Sequence, residues 1–321
     1  MNAIYIEKHG GADVLQYGDF AKPTAAAGQV LVKVAWSGVN FIDTYHREGL
    51  YKIALPCVLG VEGAGTIEAL GDGVTGFKTG EVVAWVMMRG SYAEYAAVPA
   101  ASLVRVPAGL DPKQAAAALL QGMTAHYLTH STFPIDKTHT ALVHAAAGGT
   151  GRLISQMVKL RGGRVIGTAG SKEKADVARA AGADEVILYR DQDLVAEVKR
   201  LTDGKGVDVV YDGVGASVYE QNLDSLRPRG MFVTFGNASG PVPPIDPLKL
   251  MSKGSLFITR PTLGNYLSAE ELKWRGGDLL GWIQSGKVTL LIEHEYPLAE
   301  TAQAHRDLEG RKTTGKLVIK I

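Results

Sequence analysis

The regular alternation between residues 140 and 259 constrains the fold more than any other feature of this chain. Six short apolar runs occur there, TALVHAA, RVIGT, DEVILY, VDVVYDGV, GMFVTFG and SLFIT, and segments of helical length separate the first five. Short apolar runs bounded by turn residues are typical of buried strands. Strands that alternate with helices through short connections are parallel, and right-handed crossovers place the helices on both faces of the sheet. The sequence therefore predicts a doubly wound α/β domain.

The first strand-to-helix junction of this region predicts a phosphate-binding turn. Residues 143–153 read VHAAAGGTGRL, and the three positions of the fingerprint G-x-G-x-x-G are Ala146, Gly148 and Gly151. Gly148 allows the backbone to approach a phosphate, and Gly151 allows the helix to pack against the strand. Ala146 replaces the first glycine, so this motif alone is also compatible with an ordinary glycine-rich turn that binds no phosphate. Within six alternating strands it indicates a Rossmann domain that binds a dinucleotide.

The end of the second strand indicates which dinucleotide is bound. An NAD site has an Asp or Glu about 20 residues after the glycine turn, where it binds the ribose 2′-hydroxyl. Here Thr168, Ala169 and Gly170 occupy that region, and Ser171 and Lys174 follow. A hydroxyl and a positive charge at a helix N-terminus suit a 2′-phosphate. We therefore expect NADPH rather than NADH, the alternative for the lysine being a solvated helix face.

The sequence pattern outside residues 140–259 is different. Residues 1–110 consist of short β-rich runs separated by turns, which predict an all-β domain with the form of a distorted barrel. Asp111 and Pro112 are a good N-cap and first residue for a helix over the following residues. Beyond residue 261 the sequence predicts helices near 268–285 and 299–308 and a closing strand, GKLVIKI, that returns to the first domain. The expected domains are residues 1–118, 119–260 and 261–321.

Composition limits the partners and the location of the protein. Lys and Arg total 34 and Asp and Glu total 33, so the chain offers no global field for nucleic acid or an anionic membrane. The N-terminal residues lack a secretory pattern, and no apolar run approaches the roughly 18 residues that span a bilayer. We expect a soluble cytoplasmic protein. Cys57 is the only cysteine, which excludes an intramolecular disulfide and any zinc site with several thiolates.

Residues 58–84, VLGVEGAGTIEALGDGVTGFKTGEVVA, resemble the signature of the medium-chain dehydrogenase/reductase superfamily. Its zinc alcohol dehydrogenases carry Gly-His-Glu-x-x-Gly here, whereas this chain has Val61 at the histidine position and retains Glu62. The segment that supplies the family's first zinc ligand, residues 37–51, contains no cysteine. That segment, SGVNFIDTYHREGLY, resembles the zinc-free quinone oxidoreductase branch related to zeta-crystallin. Further similar segments follow in the family's order, namely QGMTAHYL, HAAAGGTG, ILYR, VYDGVG, FGNASG and ITRPTL.

This resemblance covers essentially the whole chain and implies a GroES-like β-rich catalytic domain joined to the Rossmann domain, with NADPH and no metal. It implies a nicotinamide and substrate cleft lined by Asn40, Asp43, Tyr45, Tyr51 and Thr124, of which Tyr45 and Thr124 would also contact the cofactor. The pyrophosphate would be held by Gly148, Gly149 and Thr150. The 2′-phosphate pocket would consist of Gly170, Ser171, Lys174 and Tyr189, with Lys316 at a position that varies in the family. The middle and nicotinamide end of the cofactor would be covered by Phe235, Gly236, Asn237, Arg260, Pro261 and Thr262.

The implied activity is a metal-free transfer of a hydride or of electrons from NADPH to a quinone, with a hydroxyl of Tyr45 or Tyr51 stabilising the oxygen that gains charge. Two alternatives remain. One is an NADPH-dependent reductase of enone or alkenal double bonds, and the other is a non-enzymatic NADPH-binding protein, crystallin-like or RNA-binding. Nucleic-acid binding is disfavoured by the balanced charge. His126 and His130 have a spacing that a metal can use, but no third ligand accompanies them.

The last apolar run, SLFIT, predicts an exposed edge of the parallel sheet. Apolar sheet edges are normally covered or paired. Two such edges that pair across a twofold axis would form one continuous sheet, so we expect a homodimer.

Overall fold

The computed structural model describes residues 1–310 and 313–321. These residues form two compact units. The first unit contains Met1–Met123 and Tyr266–Ile321, and the second contains Thr124–Asn265. The chain therefore leaves the first unit once and returns to it.

The strands of the described residues, numbered in chain order, are β1 (Asn2–Ile6), β2 (Gln16–Asp19), β3 (Gln29–Val39), β4 (Cys57–Val58), β5 (Glu62–Leu70), β6 (Val82–Val86), β7 (Tyr95–Pro99), β8 (Leu103–Arg105), β9 (Thr140–Val143), β10 (Arg164–Ala169), β11 (Glu185–Leu188), β12 (Val207–Asp212), β13 (Leu226–Thr234), β14 (Phe257–Thr259), β15 (Ile292–Pro297) and β16 (Lys316–Lys320). The α-helices of the same residues are α1 (Phe41–Glu48), α2 (Pro112–Tyr127), α3 (Gly149–Leu160), α4 (Lys172–Ala180), α5 (Leu194–Leu201), α6 (Tyr219–Ser225), α7 (Pro247–Ser252), α8 (Ala269–Gln284) and α9 (Thr301–Glu309). None of these helices is both long enough and apolar enough to cross a membrane.

The first unit is built around the long strand β3. A seven-stranded sheet runs in the order β15, β16, β3, β5, β6, β8, with β7 also paired to β3. The ladder between β3 and β5 shifts register twice, between Leu31 and Val32 and between Val34 and Trp36. Such irregularities bend a strand and increase its twist. Bending lets β3 pair with β5, β7 and β16 along its length and enclose a core that includes Val32 and Trp85.

The prediction of an all-β domain over residues 1–110 is only partly correct, because the helix α1 lies within that range. The helix α9 contributes the buried Ala304 to the cluster that contains Ile4 of β1 and Ile319 of β16. The closing strand β16 pairs antiparallel with β3 and parallel with β15, so residues far apart in sequence complete one sheet.

The second unit has the predicted doubly wound architecture. Its six strands lie in the order β11, β10, β9, β12, β13, β14, and every pair is parallel. Apolar side chains on these strands, among them Leu142, Ile166 and Phe232, are buried beneath the helices. Because the strands are parallel, all their carboxyl ends lie at one edge of the sheet, where ligands bind in folds of this class.

Five of the described helices and strands were not predicted from the sequence: α1, α7, β2, β4 and β15. The segment of β15, IEHEYP, carries charged residues and is an edge strand that pairs only with β16 among the described strands. The helices α1 and α7 have eight and six residues, too few for a clear helical periodicity. By contrast, the predicted start of α2 is confirmed, since the side chain of Asp111 accepts a hydrogen bond of 2.8 Å from the N–H of Lys113.

Candidate active site

The glycine turn lies between β9 and α3, at the carboxyl edge of the parallel sheet. A Cβ added to Gly151 would lie 2.3 Å from the carbonyl oxygen of Ala145, so only glycine lets the helix approach the turn this closely. Ala145 itself has a positive φ of 49°. Gly148 is the N-cap of α3 and provides no side-chain cap. The first N–H groups of the helix therefore point into a cradle of the kind that accepts phosphate oxygens.

A series of hydrogen bonds between buried polar side chains, which the sequence did not reveal, holds this turn. His144, which is 4% exposed, places Nε2 2.6 Å from Oδ1 of Asn222 and Nδ1 3.2 Å from Oγ1 of Thr168. Thr168 also accepts a hydrogen bond from the N–H of Ala145. Asn222 in turn donates to Asp212 at the end of β12. Burial lowers the pKa of His144, so the neutral ring donates through Nε2 and accepts through Nδ1.

The residues expected to form a 2′-phosphate pocket lie together at the end of β10. Ser171 is the N-cap of α4, and its Oγ accepts a hydrogen bond from the N–H of Lys174. A Cβ on Gly170 would lie 2.7 Å from the hydroxyl of Tyr189. The structure thus brings Gly170, Ser171, Lys174 and Tyr189 to one place, and the phosphate itself remains a prediction.

The segment after β13 packs closely on the end of β12. A Cβ on Gly236 would lie 2.5 Å from the carbonyl oxygen of Gly213, and the ring of Phe235 also borders Gly213. Arg260, predicted to cover part of the cofactor, donates from its Nη1 to the carbonyl of Thr234 at 3.0 Å. The amide of Asn237, oriented so that both its polar atoms are satisfied, accepts from Nη2 of Arg260 at 3.2 Å. Neutral acceptors therefore already hold Arg260, and Pro261 and Thr262 follow it directly.

In the first unit, the aromatic side chains predicted to contact the substrate form a cluster on and after α1. The ring centroids of Tyr45 and Tyr51 lie 5.4 Å apart in an edge-to-face arrangement, and Phe41 and His46 border them at 6.4 and 6.1 Å. Tyr51 is 38% exposed, whereas Tyr45 is 9% exposed. Among these four side chains Tyr51 is therefore the one best placed to reach a small molecule. Thr124 lies in α2 as the first residue of the second unit and is 9% exposed.

Asp43 is fully buried at the start of α1. Its Oδ2 accepts hydrogen bonds from the N–H of Asn40 at 2.9 Å and from the hydroxyl of Tyr92 at 3.0 Å, while Oδ1 is buried without a partner among the described residues. His305 contacts the same hydroxyl through Nε2 at 3.2 Å and accepts a hydrogen bond from Arg47 on Nδ1. Burial is the largest cause that raises the pKa of Asp43 to about 7, and burial also lowers the pKa of His305 to about 3.

Lys316 begins β16 in the first unit and is part of a buried ion pair. Its side chain is 2% exposed, and its Nζ lies 2.6 Å from Oε2 of Glu62 and 2.7 Å from Oδ1 of Asn40. The amide nitrogen of Asn40 donates to the same Glu62 oxygen at 2.8 Å, and Glu62 accepts the N–H of Leu120 through its other oxygen. A buried ion pair therefore occupies the ammonium of Lys316, and its contact with a 2′-phosphate stays a prediction.

Asn40 and Asp43, which were predicted to line a substrate cleft, are 2% and 0% exposed, and their place in a cleft stays a prediction. The two residues hold the first turn of α1, because the carboxylate of Asp43 reaches back to the N–H of Asn40 as in a capping box. Their role is to position the helix that carries Tyr45.

The comparisons with known proteins agree with this geometry. Residues 26–108 match the family model of the alcohol dehydrogenase GroES-like domain, and residues 149–273 match that of the zinc-binding dehydrogenases. The chain is 44% identical over 319 residues to a quinone oxidoreductase of Pseudomonas aeruginosa, covering 98% of both chains. It is 39% identical over 326 residues to a 2-haloacrylate reductase of a Burkholderia species, covering 99% of this chain and 98% of the relative. The solved structure of Escherichia coli quinone oxidoreductase complexed with NADPH superposes with a TM-score of 0.98 at 40% identity and covers all of both chains.

The name of one matched family implies zinc, and the residues of this chain do not fit that ion. Val61 stands at the position of the family's histidine, and the neighbouring Glu62 is held by the ammonium of Lys316. Within residues 1–310 and 313–321, no group of three or more His, Cys, Asp or Glu side chains is placed to hold a metal. The expected GroES-like and Rossmann domains are confirmed by the family matches. These matches and the full-length identity to quinone oxidoreductases show that the chain belongs to the quinone oxidoreductase branch of the medium-chain dehydrogenase/reductase superfamily.

Proposed function

We propose that this protein is an NADPH-dependent quinone reductase that acts without a protein-bound metal. The observation that carries the proposal is the identity of 44% over nearly the whole chain to a quinone oxidoreductase. The fold shared with an NADPH complex of another quinone oxidoreductase supports the choice of cofactor. The absence of cysteine from residues 37–51 and the presence of Val61 support chemistry without zinc.

The geometry of the second unit fits a dinucleotide. The turn of Gly148, Gly149 and Thr150 would hold the pyrophosphate, because α3 begins at Gly149 and Thr150 without a side-chain cap, while the N–H of Gly148 donates to the carbonyl of Ala145. The cluster of Gly170, Ser171, Lys174 and Tyr189 would hold the 2′-phosphate, since a hydroxyl and an ammonium at a helix N-terminus favour a dianion. Phe235, Gly236, Asn237, Arg260, Pro261 and Thr262 would border the rest of the cofactor.

When bound, the nicotinamide supplies the reducing electrons. The residues of this chain bind the acceptor, orient it and stabilise the charge that it gains. The rings of Tyr51 and Tyr45 lie edge to face with centroids 5.4 Å apart, and the hydroxyl of Tyr51 is the group we assign to the acceptor oxygen. A hydrogen-bond donor fixed before the reaction stabilises a developing oxyanion without reorganisation.

The second candidate function is the reduction of activated carbon–carbon double bonds. The identity of 39% to a 2-haloacrylate reductase favours it. An enone or acrylate also develops negative charge on oxygen during reduction, so the same tyrosine hydroxyl would serve both substrates.

The test is to follow NADPH oxidation with quinones, enones and 2-haloacrylates in the presence of a chelator, and to repeat the best acceptor with NADH. Quinone turnover that survives the chelator and prefers NADPH supports the proposal. Turnover on enones or haloacrylates alone would reassign the protein to double-bond reduction. NADPH binding without turnover on any acceptor would instead support a binding protein, for which a salt-sensitive shift of RNA is the further test.

A pair of variants tests the role of Tyr51. We expect Tyr51→Phe to lower kcat on the best acceptor by roughly tenfold or more, the effect of removing one oxyanion donor being of order a hundredfold in well-studied cases. Tyr17→Phe removes a hydroxyl from a comparably exposed tyrosine on β2 and serves as the matched control. Equal rates for the two variants would exclude Tyr51 as the donor.

We also propose that the protein is a homodimer that forms through β14. Among the described strands β14 pairs only with β13, and Phe257 on it is 56% exposed. Leu248 and Met251 of α7 are 65% and 62% exposed. An apolar sheet edge of this kind is typically covered, and a second copy would cover both edges at once. A dimeric mass by light scattering is expected for the wild type and for Leu160→Lys, whereas Phe257→Lys should be monomeric.

A further inference from the structure

Arg152 is a buried arginine without a partner among the described residues. It lies in the first turns of α3, one residue after Gly151, and is 9% exposed. Its Nε is buried and forms no hydrogen bond, and the guanidinium makes no ion pair with any residue in 1–310 or 313–321. Burial alone lowers the pKa of its guanidinium, and no neighbouring charge in those ranges opposes this change.

Two other buried arginines show what such a side chain normally requires. Arg47 bonds to Glu309, Glu48 and His305. Arg275 bonds to Glu271 and to the carbonyl of Tyr266. Burying a charge costs free energy unless the charge is paired and hydrogen-bonded. Among these three arginines, Arg152 is therefore the one for which no residue in the described part of the chain offsets the free-energy cost of burial.

The position of Arg152 also opposes the helix dipole. Positive charge is unfavourable near a helix N-terminus, and the first turn of α3 contains no acidic residue to offset it. Helical side chains lean toward the N-terminus and cover the preceding turn. For Arg152 the preceding turn is Gly148 and Gly149, beside the uncapped first N–H groups of α3 at Gly149 and Thr150. The guanidinium of Arg152, the positive end of the helix dipole and the uncapped N–H groups are therefore concentrated at one place. An anion bound there would satisfy all three.

A second unpartnered polar atom lies at the same edge of the sheet. Oγ1 of Thr234, the last residue of β13, is buried without a hydrogen-bond partner in the described ranges. In the described part of the second unit, Nε of Arg152 and this hydroxyl oxygen are the buried side-chain polar atoms left unpaired. Both lie where parallel strands end, which is where a ligand would satisfy them.

We propose that Arg152 binds the pyrophosphate of the dinucleotide as an additional anion-binding residue. The inference rests on the proposed function and extends it to a side chain that no part of the glycine fingerprint includes. A planar guanidinium donates two parallel hydrogen bonds to phosphate oxygens, and its burial strengthens that interaction. Because the pyrophosphate is common to NADPH and NADH, Arg152 contributes to both and not to the choice between them.

The test uses Arg152→Met, which keeps the length of the side chain and removes its charge. Kd values for NADPH, NADH and ADP are measured by titration calorimetry. We expect Arg152→Met to raise all three by a similar factor of roughly 10 to 100, as expected for a hydrogen bond to a charged group. Arg152→Lys should recover part of the affinity. Arg200→Met, on the exposed face of α5, changes the net charge equally and should leave the three Kd values unchanged.

The melting temperature without ligand separates binding from a structural role. Removing an uncompensated buried charge should leave the melting temperature of Arg152→Met unchanged or higher. Unchanged Kd values, a loss confined to NADPH, or a lower melting temperature that accompanies the weaker binding would each overturn the inference. Wild-type protein that binds neither dinucleotide would overturn the proposed function and this inference together, whereas tight wild-type binding that Arg152→Met preserves would overturn the inference alone.

Discussion

Asp43 should make the stability of the protein depend on pH, and Asp43→Asn should remove that dependence. The carboxyl group is fully buried, and its pKa is raised from 3.8 to about 7, mainly by burial. Between these two values the folded state keeps a proton that the unfolded state releases. The free energy of unfolding therefore falls as pH rises between these two pKa values. The stability that comes from the protonation of Asp43 is fully present only below the pKa of the unfolded state.

The size of the effect follows from the difference in pKa. A difference of about three pH units corresponds to roughly 4 kcal/mol, at about 1.4 kcal/mol per unit. Above pH 7 the wild type holds a buried carboxylate whose Oδ1 has no partner in the described part of the chain. An asparagine at this position remains neutral, and its oxygen can still accept the hydrogen bonds from Asn40 and Tyr92. We therefore expect Asp43→Asn to be more stable than the wild type at pH 8 by a few kcal/mol and to lose that advantage near pH 4.

Two histidines act in the opposite direction, so the difference between variant and wild type is the quantity to measure. The pKa values of His46 and His305 are lowered to about 4 and about 3, mainly by burial. As pH falls below 6.5 the unfolded state gains protons that the folded state does not bind, which destabilises both proteins. Lys316 and Glu62, which also influence Asp43, are present in both as well.

The assay is urea unfolding followed by circular dichroism at pH 5, 6, 7 and 8. Asp176→Asn, which removes an exposed carboxylate from α4, is the control and should track the wild type at every pH. A difference between Asp43→Asn and wild type that is constant from pH 5 to 8 would refute the reasoning. It would mean that the pKa of Asp43 in the folded state does not lie where burial is argued to place it.

Three further outcomes are expected. Gly151→Ala places a Cβ 2.3 Å from the carbonyl oxygen of Ala145, so the helix α3 must shift. We expect the free energy of unfolding to fall by about 1–3 kcal/mol, measured by thermal melting, and NADPH binding to become undetectable by calorimetry. Lys316→Met leaves Glu62 buried without its cation and should lower the free energy of unfolding by about 3–5 kcal/mol. Combining Lys316→Met with Glu62→Gln should recover most of that loss. Equal stability of the single and double variants would contradict the buried ion pair. Lys174→Ala should raise the KM for NADPH roughly tenfold and leave the KM for NADH unchanged, and a parallel rise in both would show that Lys174 does not contact the 2′-phosphate.

The sequence predicted well wherever the determining interactions are local. Strand and helix periods, the glycines at 148 and 151, and the cap at Asp111 each depend on a few neighbouring residues, and they sufficed for the doubly wound sheet and its phosphate-binding turn. Ser171 and Lys174 are likewise neighbours in sequence, so their presence at one helix N-terminus followed from the pattern.

The contacts that the sequence did not reveal join residues that are distant in sequence. Lys316 was predicted to lie near the 2′-phosphate, and nothing near it in sequence indicates its pairing with the buried Glu62, 254 positions earlier. Asn40 and Asp43 were predicted to line the cleft, and nothing near them indicates that Asn40 accepts from Lys316 and Asp43 from Tyr92.

By itself, then, the sequence determined the fold class, the position of the phosphate turn and the family, since each is carried by residue types at short spacings. Only the tertiary structure decided which charged side chains are paired and which are not. The burial of Arg47 with partners, and of Arg152 without one among the described residues, is invisible in the sequence, because the free energy of a charge depends on what packs around it. Pairing of that kind is set by the whole fold and not by any one segment.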